Sequence, residues 1–306
     1  MREPLLIFIV GPTASGKSEA ALTAALRCKA EIVCCDAMQV YREIAVASDK
    51  PSAAARAQVP HHLTDILSVT EDFNAARYRK LALSAVEDIR ARGKIPMIVG
   101  GSGMYMAVLL DGIFEGAAVD EGLREELAKE LLEKGASVMH GRLQSMDPQA
   151  AAKIHPNDPQ RIIRALTVAL STGQTISSLQ PNREGLWGKT PVKIFALNRP
   201  REVLYQRAER RIDDMFANGL IEEVRRISAL PLSVTARKII GVPEVLGYLN
   251  GEHDLDRAGY LMKLNTRHYI KRQLTWFRRD QRITWIDIAP GQTAARTADI
   301  ITEGLG

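Results

Sequence analysis

Residues 11–18 have the types and the spacing of a phosphate-binding loop, G-x-x-x-x-G-K-[ST]. In chain order they are Gly11, Pro12, Thr13, Ala14, Ser15, Gly16, Lys17 and Ser18. The backbone N–H groups of such a loop, and the positive end of the helix dipole that follows it, attract anions. Lys17 adds a full positive charge, and the Ser18 hydroxyl is of the type that ligates Mg²⁺. The sequence therefore predicts a site for a phosphorylated ligand, with Mg²⁺ as the cofactor.

Two further positions follow predicted strands and bear on the chemistry. Asp36 ends the predicted strand at 31–35, where its carboxylate could act as a general base, hold Mg²⁺ through water, or simply cap a turn. Nearby, Gln39 and Tyr41 supply an amide and an aromatic ring of the kinds that read and stack a base. After the predicted strand at 95–99, a P-loop ATPase would usually place an acidic residue, whereas this chain has Gly100-Gly101-Ser102-Gly103. The missing acid argues against ATP hydrolysis and for transfer chemistry with a diphosphate leaving group, and we expect the glycines to let a ligand approach closely.

The segments around these residues predict an α/β fold. An apolar run at 5–10 is typical of a buried parallel strand, and the Ala-rich segment at 18–27 is typical of a helix. Strands alternate with helices along most of the chain, with the later strands predicted at 95–99, 192–197 and 283–286. This alternation predicts a P-loop NTPase-like core with a parallel β-sheet and a ligand at the carboxyl ends of the strands.

Residues from about 119 to 172 depart from this alternation, because they are charged, helical in pattern and without a convincing strand. The simplest account is a mainly helical domain inserted into the core. We expect residues 1–114 to form the first part of the core, 115–190 the insertion, and 191–306 the second part with basic C-terminal helices. Within the insertion, Asp158 and Pro159 predict the start of a helix on which Arg161 and Arg164 share one face. That face could contact RNA or could simply be solvated.

Composition narrows the class of protein. The 306 residues are 46% hydrophobic and 25% charged, which is ordinary for a soluble globular protein, and no apolar run approaches the length of a membrane span. The chain begins without a cleavage signal, so we expect a cytoplasmic protein that does not associate with membranes. Three cysteines, Cys28, Cys34 and Cys35, are too few for a disulfide framework or a zinc site.

The net charge of +5 is concentrated near the C-terminus. Between Lys263 and Arg282 lie seven basic residues and one acidic residue, interleaved with Tyr269, Trp276 and Phe277. Such a block suits a nucleic-acid backbone and stacked bases. It is equally consistent with a solvated helix face whose aromatic side chains belong to the core.

Taken together and in this order, six motifs resemble the tRNA isopentenyltransferase family of bacterial tRNA dimethylallyltransferases, and the resemblance covers essentially the whole chain. The motifs are Gly11–Ser18, Asp36–Arg42 with Lys50-Pro51, Pro60-His61-His62, Val99–Tyr105, Asn157–Arg164 and Lys271–Arg278. The resemblance implies transfer of a dimethylallyl group from dimethylallyl diphosphate to N6 of the adenosine immediately 3′ of the tRNA anticodon. It also implies Mg²⁺ dependence, a P-loop core with an inserted helical swivel domain, binding to the anticodon stem-loop, and a monomer.

Carried over residue by residue, the resemblance assigns roles to positions in this chain. Residues 13–18 would hold the diphosphate with help from Arg207, and Asp36, Ser102 and Arg207 would be catalytic. The positions that would contact tRNA are Asp36, Ala37, Met38, Gln39, Ser102, Gln160, Arg161, Ile162, Ile163 and Arg164. The chain departs from the usual family pattern at Ala37, where serine is common, at residues 47–49, where Gly-Thr-Ala is usual, and at Val242-Pro243.

Three other functions share part of this pattern. An isopentenyltransferase acting on free adenine nucleotides would use the same chemistry, but it would need neither the insertion nor the basic block. A P-loop kinase would bind ATP and phosphorylate a small metabolite. An RNA-binding NTPase module would hydrolyse ATP when RNA is bound, without modifying the RNA. The missing acid after the strand at 95–99 weighs against both of the last two.

Overall fold

The computed structural model describes residues 5–113 and 120–305. The chain divides into two compact units, of which one comprises Met1–Leu109 with Trp187–Gly306 and the other Leu110–Leu186. The boundary predicted at 114–115 falls outside the described residues. Each unit is described by itself below.

The first unit is built on a six-stranded sheet in which every neighbouring pair is parallel. The strands are β1 Leu6–Val10, β2 Ala30–Cys34, β3 His61–His62, β4 Ile95–Gly100, β5 Val192–Asn198 and β6 Thr284–Asp287. Their order across the sheet is β3-β2-β4-β1-β5-β6, so β1, which precedes the P-loop, lies in the interior. This sheet, with helices packed against it, confirms the predicted α/β fold with a P-loop-like core.

The described residues of the first unit form nine α-helices. They are α1 Lys17–Cys28, α2 Ala53–Gln58, α3 Ala75–Ala91, α4 Gly103–Leu110, α10 Arg201–Ala217, α11 Leu220–Ser228, α12 Val242–Leu249, α13 Leu255–Phe277 and α14 Ala294–Glu303. All five residues of β1 are buried, and the small face of α1 packs close to the sheet through Ala20, Ala21, Ala24 and Ala25. No described helix is both long enough and apolar enough to cross a membrane.

The second unit is helical throughout its described residues. Its helices are α5 Glu121–Lys134, α6 Ala136–Met146, α7 Pro148–Ala151, α8 Pro159–Thr172 and α9 Ile176–Leu179. They enclose a core of Leu127, Met139, Leu143, Ala151, Ile162, Ala165 and Leu166. The start of α8 is as predicted, because the side chain of Asp158 accepts a hydrogen bond from the N–H of Arg161 and Pro159 is the first helical residue.

The sheet forces a close approach at the end of β4. A Cβ atom placed on Gly100 would lie 2.1 Å from the carbonyl oxygen of Cys35 and 2.4 Å from its carbonyl carbon. The N–H of Cys35 donates to the carbonyl of Val99 at 2.7 Å, so main chain meets main chain here. Only glycine fits, and this contact fixes the segment that leads into Asp36.

We therefore expect Gly100→Ala to lower the free energy of unfolding by about 1–3 kcal/mol or more, since the added methyl group meets main chain that cannot rotate away. Gly259→Ala on α13 is the matched control, because its Cβ would meet only Phe216 at an ordinary 3.8 Å. The control should be neutral or gain about 0.5–1 kcal/mol from helix propensity. Urea unfolding of both variants makes the comparison, and equal stabilities would contradict the argument.

Candidate active site at the carboxyl end of the sheet

A cavity of about 760 Å³ lies within the first unit, at the carboxyl ends of the strands. Its wall includes the P-loop after β1, Asp36 after β2, and the end of β4. A loop spanning residues 47–52, together with side chains from α10 and α13, completes it. The site therefore lies where parallel α/β sheets generally bind ligands.

The P-loop has the backbone conformation that its glycines permit. Gly16 lies in the left-handed region, with φ of 93°, directly before the first residue of α1. At Gly11, φ is 140° and a Cβ would approach the carbonyl oxygen of Leu197 to 2.9 Å. Lys17 is partly buried and its Nζ donates to the carbonyl of Pro12 at 3.3 Å. Burial lowers the pKa of Lys17, and the nearby charge of Asp36 opposes that shift.

Three arginines donate hydrogen bonds to the P-loop. Arg207 donates from Nε to the carbonyl of Ala14 at 2.9 Å, and Arg199 donates from Nε to the carbonyl of Ser15 at 2.9 Å. Arg211 donates to the Thr13 hydroxyl at 2.5 Å and to the carboxylate of Asp49 at 2.6 Å. Arg207 was predicted from the sequence, whereas Arg199 and Arg211 were missed. The i, i+4 spacing of Arg207 and Arg211 on one predicted helix was the available signal.

Asp36 presents its carboxylate to this cavity. One of its oxygens accepts a hydrogen bond from the N–H of Met38 at 2.8 Å, which fixes the side chain. Burial raises the pKa of Asp36, while the Met38 hydrogen bond and the charges of Lys17 and Arg211 act in the opposite direction. A carboxylate with a raised pKa is a stronger base than a solvated one, as proton abstraction requires.

Gln273 on α13 ties that helix to the P-loop, and sequence reasoning did not identify it. Its Oε1 accepts from the N–H of Thr13 at 2.9 Å, and its Nε2 donates to the carbonyl of Gly101 at 2.9 Å. The side chain is 5% exposed, so both hydrogen bonds are shielded from water. Tyr269 and Arg272, from the same helix, line the cavity. A polar residue at a core position of a helical pattern was the available signal.

Gly100 lines the cavity, but Gly101, Ser102 and Gly103 do not, so the expected close approach of a ligand fits only the first of these residues. A Cβ on Gly101 would lie 2.2 Å from Nε2 of Gln273, and one on Gly103 would lie 2.1 Å from Cδ1 of Trp276. Main chain and α13 therefore fill the space that the glycines leave. Ser102 does not line the cavity, and its hydroxyl accepts from the N–H of Tyr105 at 3.3 Å at the start of α4.

The segment after Asp36 also differs in part from expectation. Met38 and Gln39 line the cavity, whereas Ala37 does not. Gln39 already donates to the carbonyls of Ser48 and Asp49, at 3.3 and 3.2 Å. The interpretation of Tyr41 as a stacking platform is wrong, because its ring is fully buried and its hydroxyl lies 3.2 Å from the carbonyl of Glu71.

The residues predicted on α8 belong to the other unit and are considered there alone. Gln160, Arg161 and Arg164 are exposed, and Arg161 forms an ion pair with Asp158 at 3.4 Å. Ile162 is fully buried in the helical core and Ile163 packs against it, so we no longer expect the Ile162 side chain to contact RNA. Although Ile162 lies between Arg161 and Arg164 in sequence, the turn of the helix points its side chain away from the face that carries the two arginines.

The basic block combines both interpretations that the sequence left open. Phe277 belongs to the core, Tyr269 lines the cavity, and Trp276 packs on Gly103 while remaining 38% exposed. Lys263 pairs with Asp213, Arg267 with Glu209, and Arg282 with Asp280. The exposed cations Lys271, Arg278 and Arg279 have no acidic partner within the described part of the chain. Lys271 on α13, with Arg278 and Arg279 directly after its end, forms a basic surface that can attract phosphates.

The surroundings of Cys34 and Cys35 favour the neutral, unreactive thiol. Cys34 and Cys35 are buried, and burial raises the pKa of both thiols, that of Cys35 to about 12. The Cys34 thiol donates to Oε1 of Gln39 at 3.3 Å, beside Asp36. Neither thiol has the low pKa that reactive cysteines require.

The donor set fits Mg²⁺ held jointly with a phosphorylated ligand. Among residues 5–113 and 120–305, no cluster of three acidic, histidine or cysteine side chains could hold a metal ion alone. Ser18 and Asp36 nevertheless both line the cavity beside Lys17, and they offer a hydroxyl and a carboxylate oxygen. Mg²⁺ is commonly held by one or two such oxygens together with substrate phosphates and water.

Comparison with known proteins identifies relatives along nearly the whole chain. The family described as IPP transferase matches residues 39–280. A tRNA dimethylallyltransferase of Geobacter metallireducens is 44% identical over 291 residues, covering 94% of this chain and 93% of the relative. One from Thermotoga maritima is 40% identical over 305 residues, covering 98% of this chain and 99% of the relative.

Solved structures agree with these relatives. The full-length tRNA isopentenylpyrophosphate transferase of Bacillus halodurans matches with a TM-score of 0.71 and 34% identity, covering 99% of this chain and 97% of that one. A eukaryotic dimethylallyltransferase, solved acting on tRNA, matches with a TM-score of 0.79 and 28% identity, covering 93% of this chain and 74% of that one.

The partly buried ammonium of Lys17 leads to a prediction. We expect Lys17→Met to weaken binding of inorganic diphosphate by about a hundredfold or more, since the anion loses the cation that the P-loop offers it. The unfolding midpoint should not fall, because the substitution removes a charge that burial disfavours. Lys80→Met, at an exposed position on α3, should change neither quantity. Calorimetric titration with thermal unfolding tests both statements, and undiminished binding would show that the anion does not contact Lys17.

Proposed function

Since the chain belongs to the IPP transferase family, we propose that it transfers a dimethylallyl group from dimethylallyl diphosphate to N6 of the adenosine immediately 3′ of the anticodon in tRNA, releasing diphosphate. The observation that carries this proposal is the shared cavity of the P-loop and Asp36. One side of the cavity offers groups that bind an anion, and the other offers Asp36, a base with a raised pKa. Alkylation of an amine by an allylic diphosphate requires this pair of groups.

Asp36 accepts the N6 proton as the nitrogen attacks the allylic carbon. An exocyclic adenine amine is a poor nucleophile because its lone pair is delocalised into the ring. The new C–N bond forms while the C–O bond to diphosphate breaks, so negative charge grows on the leaving group as the proton reaches Asp36. A positioned base contributes about 10²–10⁴-fold to such a step.

The P-loop stabilises the charge that accumulates on diphosphate. Lys17, the loop N–H groups and Arg207 are suited to bind that anion, since Arg207 uses Nε for its hydrogen bond to Ala14 and keeps its terminal nitrogens for the ligand. Ser18 would hold Mg²⁺, which would supply further positive charge to the leaving diphosphate. Of the residues predicted to be catalytic, Asp36 and Arg207 keep direct roles here, and Ser102 supports the start of α4.

The acceptor base must leave its stack to reach Asp36, at a cost of a few kcal/mol that is smaller in a loop than in a duplex. Backbone contacts offset that cost. The basic surface at the end of α13 supplies cations in the first unit, and Arg161 and Arg164 supply them in the second. We expect the anticodon stem-loop to be sufficient for recognition, and the protein to act as a monomer in the cytoplasm, where tRNA is modified.

The test is a three-way acceptor comparison with purified protein, Mg²⁺ and dimethylallyl diphosphate. Transfer RNA should yield N6-isopentenyladenosine, detected by nucleoside mass spectrometry, while AMP and ATP should remain unmodified. Faster modification of AMP than of tRNA would replace the proposal with a free-nucleotide isopentenyltransferase. Transfer of label from γ-labelled ATP to a metabolite, without alkylation, would replace it with a kinase. In a strain that lacks this gene, isopentenyladenosine and its derivatives should disappear from tRNA.

The raised pKa of Asp36 predicts the pH dependence of the chemical step. The base works only when deprotonated, so the rate should fall as pH decreases through its pKa, beginning at a higher pH than an ordinary aspartate would give. Asp36→Asn should lower kcat by about 10²–10⁴-fold and remove this acidic limb, with tRNA affinity unchanged. Asp214→Asn, the same change at an exposed position of the cavity wall, should keep both. Single-turnover rates across pH decide the matter, and an intact limb in Asp36→Asn would assign the proton to another group.

A further inference from the structure

One buried carboxylate outside the cavity is bound entirely by main chain. Glu223, on α11, is 2% exposed. Its Oε2 accepts from the N–H groups of Ala45 and Val46, at 2.7 and 2.8 Å, and its Oε1 accepts from that of Ala47 at 2.9 Å. Three consecutive N–H groups therefore converge on one side chain. A charged acceptor makes such hydrogen bonds stronger than a neutral one would.

The turn held by Glu223 leads directly into the wall of the cavity. Residues 47–50 all line the cavity. Backbone hydrogen bonds from Asp49 to Val46 and from Lys50 to Ala45, at 3.1 and 3.2 Å, close the turn. At its end Asp49 has a φ of 49°, a left-handed conformation that a non-glycine residue adopts at some cost. The turn therefore needs an external anchor, and Glu223 supplies it.

Asp49 transmits this placement to the P-loop. Its carboxylate accepts from Arg211 at 2.6 Å, and the same guanidinium donates to the Thr13 hydroxyl at 2.5 Å. The carbonyls of Ser48 and Asp49 also hold the amide of Gln39, three residues from Asp36.

We propose that Glu223 is a positioning residue that sets the orientation of Arg211 at the P-loop through the 45–49 turn. The proposal rests on the proposed function only in taking diphosphate as the ligand of the P-loop. Without the carboxylate, the turn loses its anchor, Asp49 no longer fixes the guanidinium, and the P-loop loses an oriented donor for the anion.

The primary test compares two neighbouring glutamates. Glu223→Gln keeps the shape of the side chain but offers a single oxygen to three N–H groups, and turns an N–H donor towards one of them. Glu222→Gln is the matched control, because Glu222 is exposed on the same helix and pairs only with Arg225. We expect Glu223→Gln to weaken binding of inorganic diphosphate by about tenfold and Glu222→Gln to leave it unchanged. Equal affinities in the two variants would overturn the proposal.

A double-mutant cycle separates positioning from general loss of stability. Arg211→Lys keeps the positive charge but lacks the fork that bridges Thr13 and Asp49. If Glu223 acts through Arg211, adding Glu223→Gln to Arg211→Lys should change diphosphate affinity by less than about twofold. Additive effects would show that Glu223 acts on stability in general and would overturn the assignment. Should Glu223→Gln not fold, Glu223→Asp takes its place in the cycle, with a smaller single effect and the same expected non-additivity.

Steady-state kinetics on tRNA provide the last measurement. In Glu223→Gln, KM for dimethylallyl diphosphate should rise by about tenfold while KM for tRNA stays within about twofold of the wild-type value. A rise confined to the KM for tRNA would overturn the proposal. Failure of the wild-type chain to prenylate tRNA would instead contradict the proposed function, and the diphosphate titrations would still judge the role of Glu223.

Discussion

Desolvation of one cation and one anion at the same end of the sheet is the constraint on which the rest of this site depends. Burial lowers the pKa of Lys17 and raises that of Asp36, and each charge partly offsets the cost of burying the other. Neither group would be useful in water, where the ammonium would be screened and the carboxylate would be a weak base. The fold limits the exposure of both by placing them after interior strands of a six-stranded sheet, on the wall of one cavity.

Much of the surrounding structure serves to hold the P-loop at this position. Arg199, Arg207 and Arg211 bind its carbonyl and hydroxyl oxygens from one side, and Gln273 binds the N–H of Thr13 from another. In sequence, these groups lie between 184 and 260 residues away from the loop residues that they bind. The long-range hydrogen bonds explain why the second part of the core belongs to the site as well as to the scaffold.

The structural features that were predicted correctly depend on residues close together in the chain. The strand before the P-loop, the start of α1, the Asp158 cap and the parallel sheet all follow from apolar runs, glycine positions and capping residues within a few residues of each other. Arg199, Arg211, Gln273 and Glu223 could not be placed in this way, because their partners lie far away in the chain. Tyr41 and Ile162 were misjudged for a related reason, since an aromatic or apolar residue inside a functional motif can still belong to the core.

The close packing after β4 restricts how this chain could evolve. A P-loop ATPase needs an acid near this strand end, yet the first side-chain atom at position 100 would lie 2.1 Å from main chain, and the one at 101 would meet Gln273 at 2.2 Å. A carboxylate-bearing residue at position 100 would have to displace the main chain of Cys35, and one at position 101 would have to displace the Gln273 side chain from its hydrogen bonds with Thr13 and Gly101. Sterics therefore exclude an acid at position 100, and an acid at 101 would detach α13 from the P-loop.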